Sequence, residues 1–102
     1  MASIIGIDLG TTFSAVATLD ETGRPIIVHN EDGQNITPSV VSFDGSRTIV
    51  GGEAQRSLGN DPDTAGRFKR KMGSEHTYHL GGADRTPTML SALVLKKLKQ
   101  FA

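Results

Sequence analysis

Ile4-Ile5-Gly6-Ile7-Asp8-Leu9-Gly10-Thr11-Thr12-Phe13-Ser14-Ala15-Val16-Ala17 is the stretch that decides the fold. An apolar run meets an acid, a glycine and two threonines, and a second alternating run follows. Over residues 3–9, Ile5, Ile7 and Leu9 share one face, and Ile4, Gly6 and Asp8 share the other. Over residues 13–20, Phe13, Ala15, Ala17 and Leu19 alternate with Ser14, Val16 and Thr18. The pattern predicts a β-hairpin whose tip consists of small, hydrogen-bonding residues. Gly10 offers unusual backbone angles and no side chain to block an approaching group. Successive amides in such a bend form an anion-binding concavity, and Thr11 and Thr12 add hydroxyl donors. Asp8 cannot bond an anionic phosphate directly, but it suits the water shell of a magnesium ion. Nucleotide phosphate with a divalent metal is therefore the leading ligand. A plain hairpin turn beside a strand-end aspartate is the alternative, and these few residues leave both readings open. The bend is not a P-loop, because the Gly-x-x-x-x-Gly-Lys-Ser/Thr pattern is missing and a strand follows. Gly6 inside a strand predicts that another backbone or a ligand comes close there.

Working outward, Asp20-Glu21-Thr22-Gly23 reads as a turn and residues 24–29 as a third strand, which makes an antiparallel meander. Residues 30–38 are polar and loop-like. Residues 39–43 and 47–50 form a second hairpin around Asp44-Gly45-Ser46. Gly51-Gly52 breaks the β pattern, and residues 53–58 suit a short helix. Asp61 as N-cap and Pro62 at the first helical position predict another helix, with Ala65, Phe68 and Met72 at helical spacing and Gly73 ending it. Residues 74–85 read as irregular, with one short strand at 77–80. Thr86-Pro87 starts a final helix that buries Leu90, Leu93, Val94, Leu98 and Phe101. That helix reaches Ala102 still apolar and uncapped, which reads as a lobe cut from a longer one.

Composition narrows the function. The chain has 102 residues, long enough for one small core. Eleven Lys and Arg balance eleven Asp and Glu. Zero net charge removes the broad attraction expected of a nucleic-acid or membrane-surface binder. With no cysteine there are no disulfides, no thiolate catalysis and no Cys-based zinc site. No apolar run reaches membrane-spanning length, no signal peptide is visible, and a cytoplasmic location is the default expectation.

A second candidate for chemistry is Phe68-Lys69-Arg70-Lys71-Met72-Gly73. A cation aimed at a γ-phosphate would stabilise charge during phosphoryl transfer. A solvated basic face is the ordinary fate of such a run, and spacing does not say which of the three cations points inward. His76 and His79 lie three apart and His29 is distant, with no acidic partner at zinc-like spacing. The Gly51-Gly52 and Gly81-Gly82 pairs read as turns.

Residues 5–17 closely resemble the amino-terminal signature of the seventy-kilodalton heat-shock chaperones, the DnaK-type family. Further segments follow in that family's order. Ile36-Thr37-Pro38-Ser39-Val40-Val41-Ser42-Phe43 resembles its Thr-Pro-Ser strand, and Ile49-Val50-Gly51-Gly52-Glu53-Ala54 its Val-Gly-x-x-Ala segment. Phe68 to Gly73 resembles its Lys-Arg-x-x-Gly helix end, and residues 93–99 the helix that follows. The resemblance covers essentially the whole chain. It implies an α/β, ribonuclease-H-like, actin-type ATPase lobe, with residues 1–102 forming an incomplete first lobe of a nucleotide-binding domain.

On that resemblance Gly10, Thr11, Thr12 and Phe13 would grip the β- and γ-phosphates of ATP or ADP, and Asp8 would order hydrated Mg2+. Lys69 would be the catalytic lysine beside the γ-phosphate, with Arg70 next to it. The implied parent is an ATP-dependent chaperone working with unfolded polypeptides, a J-domain co-chaperone and a nucleotide exchange factor. The 102-residue chain itself is expected to be inactive and to self-associate. Phe13 departs from the Asn or Tyr of many members, and the stretch between Gly73 and Pro87 is shorter than in general folding chaperones. Two other readings are a fragment of a sugar or carboxylate kinase of the same superfold and a non-catalytic interaction module.

Overall fold

The structure is a computed structural model that describes residues 5–101. Positions 3 and 4 of the expected first strand, and Ala102, lie outside them. Strand β1 (Ile5–Leu9) and β2 (Phe13–Leu19) pair antiparallel, with Leu9 opposite Ser14 and Asp8 opposite Ala15. Strand β3 (Pro25–Ile27) continues the meander and is shorter than the alternation suggested. The two-residue β4 (Thr37–Pro38) also pairs with β2, through Phe13 and Ser14, inside the segment expected to be loop. Proline is tolerated there because the pairing is an edge contact two residues long.

The second hairpin forms as expected from β5 (Val40–Asp44) and β6 (Arg47–Val50). Helix α1 is brief (Gly52–Gln55), and turns carry the chain on through residue 60. The helix expected from Asp61 does not exist. The Asp61 carboxylate accepts the Asp63 amide at 2.9 Å and its carbonyl accepts the Thr64 amide at 3.2 Å, which makes a turn. Strand β7 (Thr64–Gly66) then pairs with β5. Arg67 takes a left-handed conformation (φ 57°), and a single 3-10 turn follows over Phe68–Lys71. Ala65 and Phe68 are both buried, one from a strand and one from the turn, while Met72 is 43% exposed. Their helix-like spacing is a coincidence of two short elements.

Residues 74–85 hold a hairpin, β8 (Tyr78–Leu80) and β9 (Ala83–Arg85), turning at Gly81-Gly82. Helix α2 (Pro87–Phe101) buries Leu90, Val94 and Leu98 completely, with Leu93 and Phe101 half-buried at the margin. Its buried side chains join Val16, Val41, Phe43, Val50, Ala65, Phe68 and Leu80 in one core. Val16 points into that core, so β2 shows Phe13 and Leu19 on its open face, 42% and 45% exposed. Gly6 lies on the open face too, and a Cβ there would meet nothing within 4 Å. No other backbone of the described residues therefore comes close at Gly6.

Candidate functional site

The β1–β2 bend is organised by partners far away in sequence. Lys69 donates its ammonium to the Leu9 carbonyl, 60 residues back. The Ser39 hydroxyl donates to the Gly10 carbonyl at 2.9 Å, and the Ser39 amide donates to the Thr12 carbonyl at 2.9 Å. Three acceptors of the bend are thus occupied from within the chain. The amides of Thr11 and Thr12, and both threonine hydroxyls, donate to no partner among the described residues. Thr12 is exposed and Thr11 half-buried. A bend with its acceptors tied back and its donors free presents positive partial charge outward, which is the polarity an anion needs.

Gly10 is required for space. A Cβ on it would stand 2.3 Å from the Phe13 carbonyl oxygen. That oxygen is backbone and cannot swing aside. Gly10 is not among the glycines of positive φ, so the position uses the missing side chain and not a left-handed backbone.

The structure brings Lys69 to the bend and leaves Arg70 without a hydrogen bond to it. The left-handed Arg67 and the buried Phe68 explain the selection. The chain reverses at Arg67, Phe68 (2% exposed) plugs the core, and the next side chain emerges toward Leu9. Asp8 is exposed on the open face, opposite Ala15, and makes no hydrogen bond or ion pair among the described residues. A single carboxylate beside a small residue fits a hydrated magnesium ion, which keeps most of its waters. The described residues contain no cluster of three or more His, Cys, Asp or Glu able to cage a metal. His79 pairs with Asp84 at 3.0 Å on the exposed β8–β9 hairpin.

Sequence reasoning missed Ser39 and Ser14. Both are buried, at 2% and 1% exposure, and their hydroxyls lie 2.8 Å apart. Ser14 occupies the same face of β2 as the core residue Val16, and a polar group there needs a partner. That parity was the available signal. A cavity of about 520 Å³ lies elsewhere, between residues 31–32, β6, α1 and α2. Its walls carry the ion pairs Arg47–Glu53 and Lys97–Glu31, at 3.4 and 3.3 Å.

By architecture the chain is an α/β protein built on antiparallel sheets. Residues 4–102 match the family model described as Hsp70 protein, and the chain belongs to that family, whose fold is that of the actin-like ATPases. The chaperone protein DnaK of Mycoplasma mycoides is 46% identical over 99 residues, 97% of this chain and 17% of the relative. Those of Mycoplasmopsis agalactiae and Metamycoplasma hominis are 44% and 43% identical, each over 97% of this chain and 16% of the relative. The chain thus spans about a sixth of the length of these relatives. The match decides against the sugar-kinase alternative.

Proposed function

We propose that this chain is the amino-terminal part of the first lobe of a chaperone nucleotide-binding domain, ribonuclease-H-like in topology, and that its bend grips the phosphates of ATP or ADP. The observation that carries this reading is the sorting of the bend. The carbonyls of Leu9, Gly10 and Thr12 are engaged, while the amides of Thr11 and Thr12 remain as donors. Gly10, Thr11, Thr12 and Phe13 hold the β- and γ-phosphates through backbone amides and the threonine hydroxyls. Asp8 orders the waters of Mg2+, which supplies charge neutralisation on the phosphate oxygens. Lys69, released from the Leu9 carbonyl, offers its ammonium to the γ-phosphate, and Arg70 adds positive potential at the rim. In the parent, binding and hydrolysis of ATP drive binding and release of unfolded polypeptides with a J-domain co-chaperone and an exchange factor, in the cytoplasm. No helix among the described residues is long and apolar enough to cross a membrane.

Phosphoryl transfer needs positioning from both sides of the nucleotide, so this chain alone binds phosphate weakly and turns over no ATP. Phe13, Leu19 and Ile27, 42–46% exposed, share the sheet face away from the core and support self-association. Light scattering that shows a clean monomer at high concentration counts against that association. The phosphate reading is tested by titrating the 15N-labelled chain with Mg-ATP. Amide shifts centred on Gly10–Phe13, with a second group at Lys69, are expected. Shifts confined to other regions, or none at millimolar nucleotide, overturn it.

A further inference from the structure

We infer that Ser39 is the positioning residue of the bend, holding two of its carbonyls away from the face that an anion approaches. The inference rests on the phosphate reading above for its purpose, while the geometry stands independently. Ser39 contributes two donors to one loop 29 residues away in sequence: its hydroxyl to Gly10 O and its amide to Thr12 O, both at 2.9 Å. These two carbonyls bracket Thr11. A serine hydroxyl has one proton. Since Ser39 spends its proton on Gly10 O, the 2.8 Å contact between the serine hydroxyls has Ser14 as donor. A relay results: the Ser14 hydroxyl donates to the Ser39 oxygen, and the Ser39 hydroxyl donates to Gly10 O. Both serines are buried, so no water competes freely for these protons and the chain of bonds is polarised in one direction.

The consequence is electrostatic. A peptide unit that rotates its carbonyl toward a polyanion presents an oxygen where a donor is needed. Without the Ser39 hydroxyl, Gly10 O becomes a half-buried acceptor short of a partner and gains from turning toward solvent on the ligand side. That turn would carry the Thr11 amide, the other half of the same peptide unit, away from the ligand. Ser39 follows Pro38, whose pairing with Phe13 fixes the approach of the segment. The serine is thus carried by the strand that closes on the bend.

The test compares Ser39→Ala with Ser42→Ala. Ser42 is also buried, at 3% exposure, but its hydroxyl accepts from Thr64, away from the bend. Two readouts are taken on the 102-residue chain. The first, without ligand, is 15N relaxation at Thr11, Thr12 and Phe13. Ser39→Ala should lower the order parameters there from a rigid value near 0.85 to below about 0.6, with Ser42→Ala leaving them unchanged. The second is titration with inorganic tripolyphosphate and magnesium, read at the Thr11 and Thr12 amides. Ser39→Ala should weaken binding at least about tenfold and Ser42→Ala less than about twofold. Ser14→Ala, which removes the relay but keeps the Gly10 bond, should fall between them. Ser39→Thr, which restores the hydroxyl, should recover both readouts. Unchanged order parameters in Ser39→Ala, or the same loosening in Ser42→Ala, overturn the assignment. A wild-type chain that ignores tripolyphosphate refutes the phosphate reading instead, and the relaxation data still decide the role of Ser39.

Discussion

Strand β2 is flanked by two bends that solve the same problem in opposite ways. After its last residue, the Asp20 carboxylate oxygen accepts the Thr22 amide at 2.8 Å, the Thr22 hydroxyl at 2.7 Å and the Arg24 amide at 2.9 Å. The anion of that corner is part of the sequence. Before its first residue, Thr11 and Thr12 offer amides and hydroxyls of the same kind, and the chain supplies no anion to them among the described residues. Their carbonyls are instead tied down by Ser39 and Lys69. One corner closes on itself and serves only to reverse the chain. The other is held open by groups 29 and 60 residues distant, an arrangement that chain reversal alone does not require. The difference teaches how to separate a ligand-binding bend from an ordinary one: ask which of its polar groups have partners, and from how far.

The largest effect should come from breaking the support of the first bend. Phe68 is 2% exposed and anchors the turn that delivers Lys69. Phe68→Ala should cost about 3–5 kcal/mol of stability, measured by urea unfolding. In molecules still folded, the Leu9 and Lys69 signals should move while those of Thr22 and Arg24 stay. Equal movement at both ends of β2 would show that the two corners are not independent.

A smaller and more selective pair of effects comes from the glycines. In Gly10→Ala the new methyl meets the Phe13 carbonyl 2.3 Å away, so the backbone must shift, at about 1–3 kcal/mol. In Gly23→Ala, beside Asp20, the methyl meets nothing within 4 Å, and the cost is the φ of +85°, about 1–2 kcal/mol. The two substitutions should look alike in urea unfolding. They should part in the tripolyphosphate titration, where Gly10→Ala loses the response of Thr11 and Thr12 and Gly23→Ala keeps it. Equal retention in both would reduce the first bend to a simple turn.

The legibility of these features in the sequence follows their range. β1, β2 and the β5–β6 hairpin were readable because alternation over four or more residues is a local signal, and α2 because its apolar stripe runs its full length. β7 is hidden, since Ala65, Phe68 and Met72 mimic a helical stripe and nothing local reveals that residues 64–66 pair with β5. β4 is two residues long and has no period to detect. Gly81-Gly82 signals a turn, but the three-residue strands on either side of it are too short to show a period. At the site, the bend itself was readable from Gly10-Thr11-Thr12. Lys69 could be chosen from three adjacent cations only through the family resemblance. The Ser39 bonds to Gly10 and Thr12 join segments brought together by β4, the least readable strand, so they stayed hidden with it.

The smallest effect sharpens the comparison from the self-closed side. Hydrogen bonds to Thr22 and Arg24 hold the Asp20 carboxyl below its ordinary value of 3.8. These bonds are made to the charged form, so the folded chain binds its proton less readily than the unfolded one. The contribution of this corner is therefore fully present above pH 3.8 and is lost as pH falls through the lowered folded value. The Thr22 amide, followed by NMR, should titrate with a midpoint below 3.8, and Asp20→Asn should abolish that titration. The Thr11 and Thr12 amides should show no such intrinsic step, since no carboxylate of the chain bonds to them among the described residues. With tripolyphosphate added they should acquire a pH dependence that belongs to the phosphate, and it should persist in Asp20→Asn. A carboxylate-like step at Thr11 or Thr12 in the ligand-free chain would mean that the first bend already holds an anion of its own, and the contrast between the two ends of β2 would vanish.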